Sequence, residues 1–420
     1  MTLSIRTDRQ LIRAEGRSNR YVLITFSAPR APTREERRPV NVAFVLDRSG
    51  SMSGENKFGL ARQAVEQSLR MLRPEDHFSL VVYDAQIDVL AASASATPAA
   101  IRAALDALST IGPRGSTDLC GGWMHGCEQV ARLVDGERTS RVLLLTDGLA
   151  NQGVTDRSTI VLHASELRQR GVSTSTFGVG VDFDERLLRD MAHEDGGNFY
   201  FLESAVQIPD LITSELGEAL EVVMPRAAIE IDIPRRGDAE LLNRFRSSTD
   251  ETSLRVELGD VVSGQEVEVV VRLNFPRGEI GARVAAQARL VDGNGEVLHS
   301  ALAEWTYASH LDNDRQPRDR TVDRRVAELY AARARADATE ANRHGDFDAA
   351  RRVIDRTAAR IRQYAGNDEV LLNLCESLVM ERPQYVDAVM EPMMMKRNYY
   401  AAEMSVKGRV RDGKARRSPQ

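Results

Sequence analysis

The pattern of apolar residues divides the chain near Pro225. From about Val40 to Leu220, short continuous apolar runs such as "VNVAFVL" and "RVLLLTD" alternate with segments such as "KFGLARQAVEQSLRMLR", whose apolar residues have helical spacing. Continuous apolar strands that are separated by amphipathic helices are typical of a mostly parallel sheet covered on both faces. The pattern therefore predicts a doubly wound α/β domain over residues 40–224.

After Pro225 the apolar residues recur at every second position. The segments "AIEIDI", "EVEVVVRLNF" and "LHSALAEWTY" follow this pattern, and "DGNG" at Asp292–Gly295 is typical of a hairpin turn. We therefore expect an antiparallel β-sandwich domain over residues 225–309. Residues 1–39 contain two more strand-like segments, "LSIRT" and "RYVLITFSA", which we expect to join that β-domain. The α/β domain would then be an insert between its parts.

The remainder of the chain has helical spacing again. Residues 320–400 contain amphipathic segments such as "TVDRRVAELYAARARADATEANR", and we expect a helical region there. The methionine-rich run at Met390–Tyr400 is not expected to continue a helix, because Pro392 precedes the consecutive methionines. Residues 401–420 end in "KGRVRDGKARRSPQ", with six basic residues and one Asp, and we expect a disordered basic tail.

Composition narrows the classes of function. The net charge of −6 gives no reason to expect nucleic-acid binding, and no run approaches the roughly 18 apolar residues of a membrane span. The start "MTLSIRTDRQ" has no apolar segment of the signal-peptide type. The three cysteines, Cys120, Cys127 and Cys375, cannot form a disulfide framework. We expect a cytoplasmic protein, and the composition leaves its oligomeric state open.

Candidate metal ligands lie in three segments. Two of these segments directly follow apolar runs, and the third is rich in glycine. Asp47 ends the run "VNVAFVL", and Ser49 and Ser51 follow at alternate positions. Asp147 follows "RVLLLT", and Thr117 lies in the glycine-rich segment "IGPRGSTDLCGG". Because ligands bind at the carboxyl ends of parallel strands, we expect these side chains to meet at one edge of the sheet. Carboxylate and hydroxyl oxygens are hard donors that suit Mg²⁺.

Three motifs together resemble a known family. "DRSGSMSG", "GSTDL" and "LTDGLAN" are similar to the metal-ion-dependent adhesion site of the von Willebrand factor type A domain, as found in bacterial cytosolic proteins. The resemblance covers about Val40 to Leu220. It implies that a divalent ion, Mg²⁺ with Ca²⁺ or Mn²⁺ as alternatives, is bound directly or through water by Asp47, Ser49, Ser51, Thr117 and Asp147. It also implies an open coordination position for an acidic side chain of a partner. The flanking β-domain resembles the layout of inter-alpha-trypsin-inhibitor heavy chains.

Residues near the three motifs have other possible roles. Asp118 is a candidate for the outer sphere of the metal, and Glu55 is a candidate for the rim of the site. Cys120, His125 and Cys127 could suggest a second metal site, but His125 lies elsewhere on the helical wheel, so core packing is favoured. A helix-capping loop explains the first motif equally well when that motif is taken alone.

Three functions are compatible with these residues. The first is a non-enzymatic protein–protein interaction module, in which the metal captures an Asp or Glu of a partner protein. The second is a regulatory scaffold or adaptor subunit of an ATPase complex of the MoxR or chelatase type. The third, a metal-dependent hydrolase, is disfavoured because the motif loops contain no His to act as general base.

Overall fold

The computed structural model describes residues 1–31 and 37–417. The chain forms two compact units. The α/β unit is Ala31–Val223, and the second unit combines Met1–Arg30 with Met224–Gln420. None of the described helices has the length and apolar character that a membrane crossing requires.

The strands, in chain order, are β1 (Thr2–Thr7), β2 (Leu11–Arg13), β3 (Ser18–Ser27), β4 (Val40–Asp47), β5 (His77–Tyr83), β6 (Ile87–Ser95), β7 (Thr139–Thr146), β8 (Ser173–Val179), β9 (Phe199–Leu202), β10 (Val222–Asp232), β11 (Asp238–Leu241), β12 (Arg246–Thr249), β13 (Ser253–Val262), β14 (Glu266–Phe275), β15 (Arg283–Val291) and β16 (Val297–Ala308). The helices are α1 (Lys57–Leu69), α2 (Pro98–Ser109), α3 (Leu119–Ala131), α4 (Arg157–Gln169), α5 (Glu185–Asp195), α6 (Ile208–Leu220), α7 (His310–Arg315), α8 (Arg320–Arg343), α9 (Phe347–Ala365), α10 (Glu369–Val386) and α11 (Pro392–Lys407).

The α/β unit contains one sheet with the strand order β6-β5-β4-β7-β8-β9. All neighbouring strands are parallel except β5 and β6, which form an antiparallel pair. Every residue of β4 and β7 is buried, as their continuous apolar sequences predicted. The chain order reverses between β4 and β7, so the loops after these two strands separate at the carboxyl edge and leave room for a ligand. The prediction of a doubly wound α/β fold is confirmed.

Two glycines of α3 allow this helix to lie very close to the sheet. A Cβ on Gly122 would lie 2.3 Å from Cγ of Tyr83, and a Cβ on Gly126 would lie 2.3 Å from Cγ2 of Val45. The two glycines are four residues apart and therefore share one face of the helix. Because α3 begins directly after Thr117 and Asp118, this close packing also fixes the loop that contains Thr117.

The second unit contains two sheets, with the strand orders β1-β3-β14-β11 and β12-β13-β10-β15-β16-β2. The N-terminal strand β3 pairs with β14 in antiparallel register from Ser18–Phe275 to Ser27–Glu266. Side chains of the two sheets pack together, as in the contact of Phe275 with Trp305 at a ring-centroid distance of 4.9 Å. The fold is therefore the predicted β-sandwich, antiparallel except that β2 pairs with β16 in parallel, and it is followed by the helical region α8–α11.

The structure agrees with one expectation about the C-terminal part and corrects another. No helix runs through Pro392, because α10 ends at Val386 and Pro392 is the first residue of α11, where the missing N–H of proline removes no helical hydrogen bond; the methionines that follow are helical. The tail, in contrast, is not disordered, because the segment from 401 onward is ordered as far as residue 417. Its backbone pairs with the second unit, since Glu266 N–H donates to the carbonyl of Arg416 at 2.8 Å. Residues 418–420 of the predicted tail lie outside the described residues.

Candidate metal centre

The five predicted ligands lie in three loops at the carboxyl edge of the α/β sheet. Asp47 is the last residue of β4, and Asp147 directly follows β7. Asp47, Ser49, Thr117 and Asp147 are buried, whereas Ser51 is exposed. The group of side chains therefore reaches solvent at Ser51, which is where a bound ion would meet a ligand from outside.

Hydrogen bonds connect four of the five residues. Ser49 Oγ lies 3.1 Å from Ser51 Oγ, and Ser51 Oγ donates to Asp147 Oδ1 at 2.6 Å. Asp47 accepts hydrogen bonds from the backbone N–H of Ser49 and from Thr146 Oγ1, both at 2.7 Å. The structure thus brings both serines and both carboxylates together, as the spacing predicted.

Thr117 reaches the same place from the opposite loop. A Cβ on Gly148 would lie 3.7 Å from Thr117 Oγ1 and 3.9 Å from Ser51 Oγ, so both hydroxyls border the space above Gly148. Asn151 holds the Thr117 loop there, because its Oδ1 accepts from Thr117 N–H at 2.8 Å and its own N–H donates to the Thr117 carbonyl at 3.2 Å. A small residue at 148 therefore keeps the space between the loops open.

The donor set fits a hard divalent cation. Two carboxylates supply negative charge, and three hydroxyl groups supply neutral oxygen donors, which is the chemistry that Mg²⁺ and Ca²⁺ prefer. Burial raises the pKa of Asp47 to about 6, against the hydrogen bonds from Ser49 and Thr146 that favour the ionised form. A cation beside Asp47 would favour the same ionised form, because an opposite charge stabilises a carboxylate.

Lys57 is a member of the site that the sequence analysis did not identify. Its Nζ lies 2.7 Å from Asp147 Oδ2, so Asp147 accepts from an ammonium on one oxygen and from Ser51 on the other. Lys57 lies six residues after Ser51, and it is one of only four lysines among the 56 Lys and Arg residues of the chain. Its place close to the first motif is the only signal in the sequence. The contact with Asp147 is visible only in the folded structure.

Asp84 was also missed, and it connects the loops around the site. It follows β5 and is buried, and Arg48 Nε and Arg114 Nε lie 3.2 Å and 2.8 Å from its Oδ2. Its backbone carbonyl accepts from Asp118 N–H at 2.9 Å. Burial alone would raise the pKa of Asp84, but the backbone N–H of Gln86 and the two guanidinium groups hold it below the usual value. A single acid after a strand has no motif that would distinguish it.

The other candidates have structural roles. Asp118 caps α3, because its Oδ1 accepts from Gly121 N–H at 2.9 Å. Cys120 and Cys127 are buried free thiols, whereas His125 is exposed, so they do not form a common site. Within residues 1–31 and 37–417, no three His, Cys, Asp or Glu side chains form a group that could hold a metal. The candidate centre therefore depends on hydroxyl donors as well as on its two carboxylates.

Comparisons with known proteins match part of the chain to a family model and to curated relatives. The family model of the von Willebrand factor type A domain matches residues 41–214. Among curated proteins, Escherichia coli YfbK is 26% identical over 251 residues, which are 57% of this chain and 43% of YfbK. Inter-alpha-trypsin inhibitor heavy chain H1 of Bos taurus is 28% identical over 212 residues, which are 47% of this chain and 23% of that protein. The chain thus matches less than half the length of either relative.

Two solved structures share the fold over nearly the whole chain. A von Willebrand factor type A protein from Catenulispora acidiphila has a TM-score of 0.66 at 15% identity, over 93% of this chain and 97% of that one. The ArnB paralog VWA2 from Sulfolobus acidocaldarius has a TM-score of 0.60 at 17% identity, over 96% and 98%. At these identities the likeness shows the fold alone.

Proposed function

The chain contains a von Willebrand factor type A domain at residues 41–214, and on this premise we propose that it binds a partner protein through a divalent metal ion. In this proposal Asp47, Ser49, Ser51, Thr117 and Asp147 hold the ion, and an Asp or Glu of the partner completes its coordination. The observation that carries the proposal is the convergence of these five oxygen-bearing side chains at one sheet edge, with Ser51 exposed.

The charge of the donor set supports an acidic ligand. Three of the five donors are neutral hydroxyls, so they do not reduce the charge of a bound cation. The electrostatics of a metal site must include the charge of the ion itself, which is the largest local charge. Because the Lys57 ammonium already lies on Asp147, the two carboxylates, the ammonium and a divalent ion together keep a positive charge, and an external carboxylate is a favourable additional ligand.

The loop after Asp147 exposes two large apolar side chains. Leu149 is 56% exposed and Val154 is 40% exposed, although both are large apolar side chains. Exposed apolar residues beside a polar group are typical of binding surfaces. We propose that the partner presents its acidic residue next to an apolar side chain that covers Leu149.

We propose binding rather than catalysis because both carboxylates are already engaged. Asp47 accepts from Ser49 and Thr146, and Asp147 accepts from Ser51 and Lys57. A general base must instead face the proton that it removes from a substrate or water. Mg²⁺ is the proposed ion because its ligands are hard oxygens. The ATPase-scaffold alternative and the cytoplasmic location stay predictions.

Metal titration and affinity purification test the proposal together. The serines at 51 and 53 are both exposed and lie in the same turn, but only Ser51 belongs to the site, since Ser53 Oγ donates to the Gly50 carbonyl. Ser51→Ala should weaken Mg²⁺ binding in calorimetry and abolish the capture of proteins that chelator also releases. Ser53→Ala should change neither. Captured proteins that are the same with chelator and with Ser51→Ala would refute the proposed function.

A further inference from the structure

The pair formed by Lys57 and Asp147 is withdrawn from solvent. The side chain of Lys57 is 15% exposed and that of Asp147 is 0% exposed, with 2.7 Å between Nζ and Oδ2. A buried charge is tolerated where an opposite charge and hydrogen bonds compensate for the lost hydration. Asp147 is therefore already neutralised in part by a side chain of the protein itself.

The position of Lys57 is locally unfavourable. It is the first residue of α1, and no acidic residue lies in the first turn. A cation at the N-terminus of a helix is opposed by the helix dipole. The two preceding residues, Glu55 and Asn56, have positive φ angles of 49° and 54°, which side chains other than glycine seldom adopt. Unfavourable backbone angles and an unfavourable charge at one place indicate a functional constraint. The contact of Lys57 with Asp147 compensates for them.

Lys57 determines the net charge of the ion and its ligand set. Arg48 and Arg114 pair with Asp84, and Arg48 also pairs with Asp88, so these groups compensate one another. Asp118 is engaged as the cap of α3. Among the candidate ligands and Lys57, the charged groups are the two ligand carboxylates and the ammonium of Lys57. A divalent ion would neutralise the two carboxylates alone, whereas with Lys57 the ion and its ligand set keep one net positive charge.

We propose that Lys57 is a positioning residue that lowers the affinity of the centre for its metal and raises the affinity of the loaded centre for an external carboxylate. This inference rests on the proposed function. The ammonium competes with the metal for the charge of Asp147, and it preserves the positive potential that attracts an acidic ligand. Removing Lys57 should therefore change the two affinities in opposite directions, which general damage to the site would not do.

The experiment uses the full chain and two probes, Mn²⁺ and acetate. Mn²⁺ affinity is measured by calorimetry, and acetate binding to the Mn²⁺-loaded protein is followed by water-proton relaxation. Lys57→Met keeps the length of the side chain but removes the charge, and Lys57→Arg keeps the charge. The matched control is Arg70→Met, which removes a charge from the end of α1, where the side chain is 72% exposed.

Lys57→Met should bind Mn²⁺ on the order of tenfold more tightly and acetate on the order of tenfold more weakly, within the usual range of coupling between sites. Lys57→Arg should return both constants toward the wild-type values, and Arg70→Met should leave both unchanged. Unchanged constants in Lys57→Met, or a loss of both affinities, would overturn the role of Lys57 while leaving metal binding by the wild type intact. Failure of the wild type itself to bind Mn²⁺ would overturn the proposed function as well.

Discussion

A buried carboxylate on α6 provides a quantitative test of how the α/β unit is held together. Glu215 is fully buried and accepts hydrogen bonds from Arg141 Nη1 at 2.6 Å, Ser175 Oγ at 2.6 Å, Asn198 Nδ2 at 3.1 Å and Tyr200 OH at 2.5 Å. These donors lie on β7, β8 and β9 and in the turn before β9, so one side chain connects α6 to half of the sheet.

Replacing this carboxylate should be costly. Glu215→Ala would remove the carboxylate to which the guanidinium of Arg141 donates, and the side chain of Arg141 is only 6% exposed. Breaking a buried ion pair from one side costs about 3–5 kcal/mol, and each further buried donor left without its acceptor adds about 1–3 kcal/mol. Because a domain has a stability of about 5–15 kcal/mol, we expect Glu215→Ala to remove at least a third of the unfolding free energy of the α/β unit.

The two tryptophans of the chain make the assay specific for each unit. Trp123 lies in α3 of the α/β unit, and Trp305 lies in β16 of the second unit. In a Trp305→Phe background, fluorescence during urea unfolding reports the α/β unit. The control is Asp210→Asn in the same background, because Asp210 is exposed in the first turn of α6 and should contribute less than about 1 kcal/mol.

The combined variant separates the charge pair from the remaining hydrogen bonds. Arg141→Met with Glu215→Leu removes both charges and should recover part of the lost stability, because replacing a buried pair by apolar residues is often nearly neutral. A loss below about 1 kcal/mol in Glu215→Ala would contradict the reasoning, since the unfolding free energy would then not depend on the network.

Two further predictions concern buried acids. Asp84→Ala should lower the unfolding free energy of the α/β unit by about 2 kcal/mol or more, because Arg48, with a side chain 3% exposed, loses one of its carboxylates; urea unfolding measures this. Burial raises the pKa of Asp195 from 3.8 to about 8, so the native state keeps a proton that the unfolded chain releases. Stability should therefore fall as the pH rises from about 4 to about 8, by at most about 1.4 kcal/mol per unit. Asp195→Asn should remove that fall in stability. If the wild type and Asp195→Asn showed the same pH dependence of stability, Asp195 would not be its cause.

The five candidate ligands could be predicted because each follows a signal that is local in the sequence. Asp47 and Asp147 end continuous apolar runs, and parallel strands bring their carboxyl ends to one edge. Thr117 lies in a glycine-rich loop before a helix. The same rules do not identify Lys57, because its partner is 90 positions away and its own place at a helix N-terminus is locally unfavourable.

Local rules describe the C-terminal part only in part. Proline prevents a helix from continuing through it and favours the first helical position, and both effects hold at Pro392, since α10 ends before it and α11 begins with it. The charge of the basic segment predicts disorder. Its backbone instead finds partners in the second unit, and Arg416 pairs with Glu268 at 3.1 Å. Such pairing between distant segments leaves no periodic signal in the sequence.

In the proposed centre, hydroxyl groups from two loops bind one divalent ion that keeps a position for an external carboxylate. The most direct measurement is the anomalous scattering of Mn²⁺ in crystals of the full chain soaked with Mn²⁺ and acetate. We expect one manganese peak that contacts the side-chain oxygens of Ser49, Ser51 and Thr117, with an acetate oxygen as a further ligand. A crystal in which these side chains are accessible and bind no manganese at saturating concentration would contradict it.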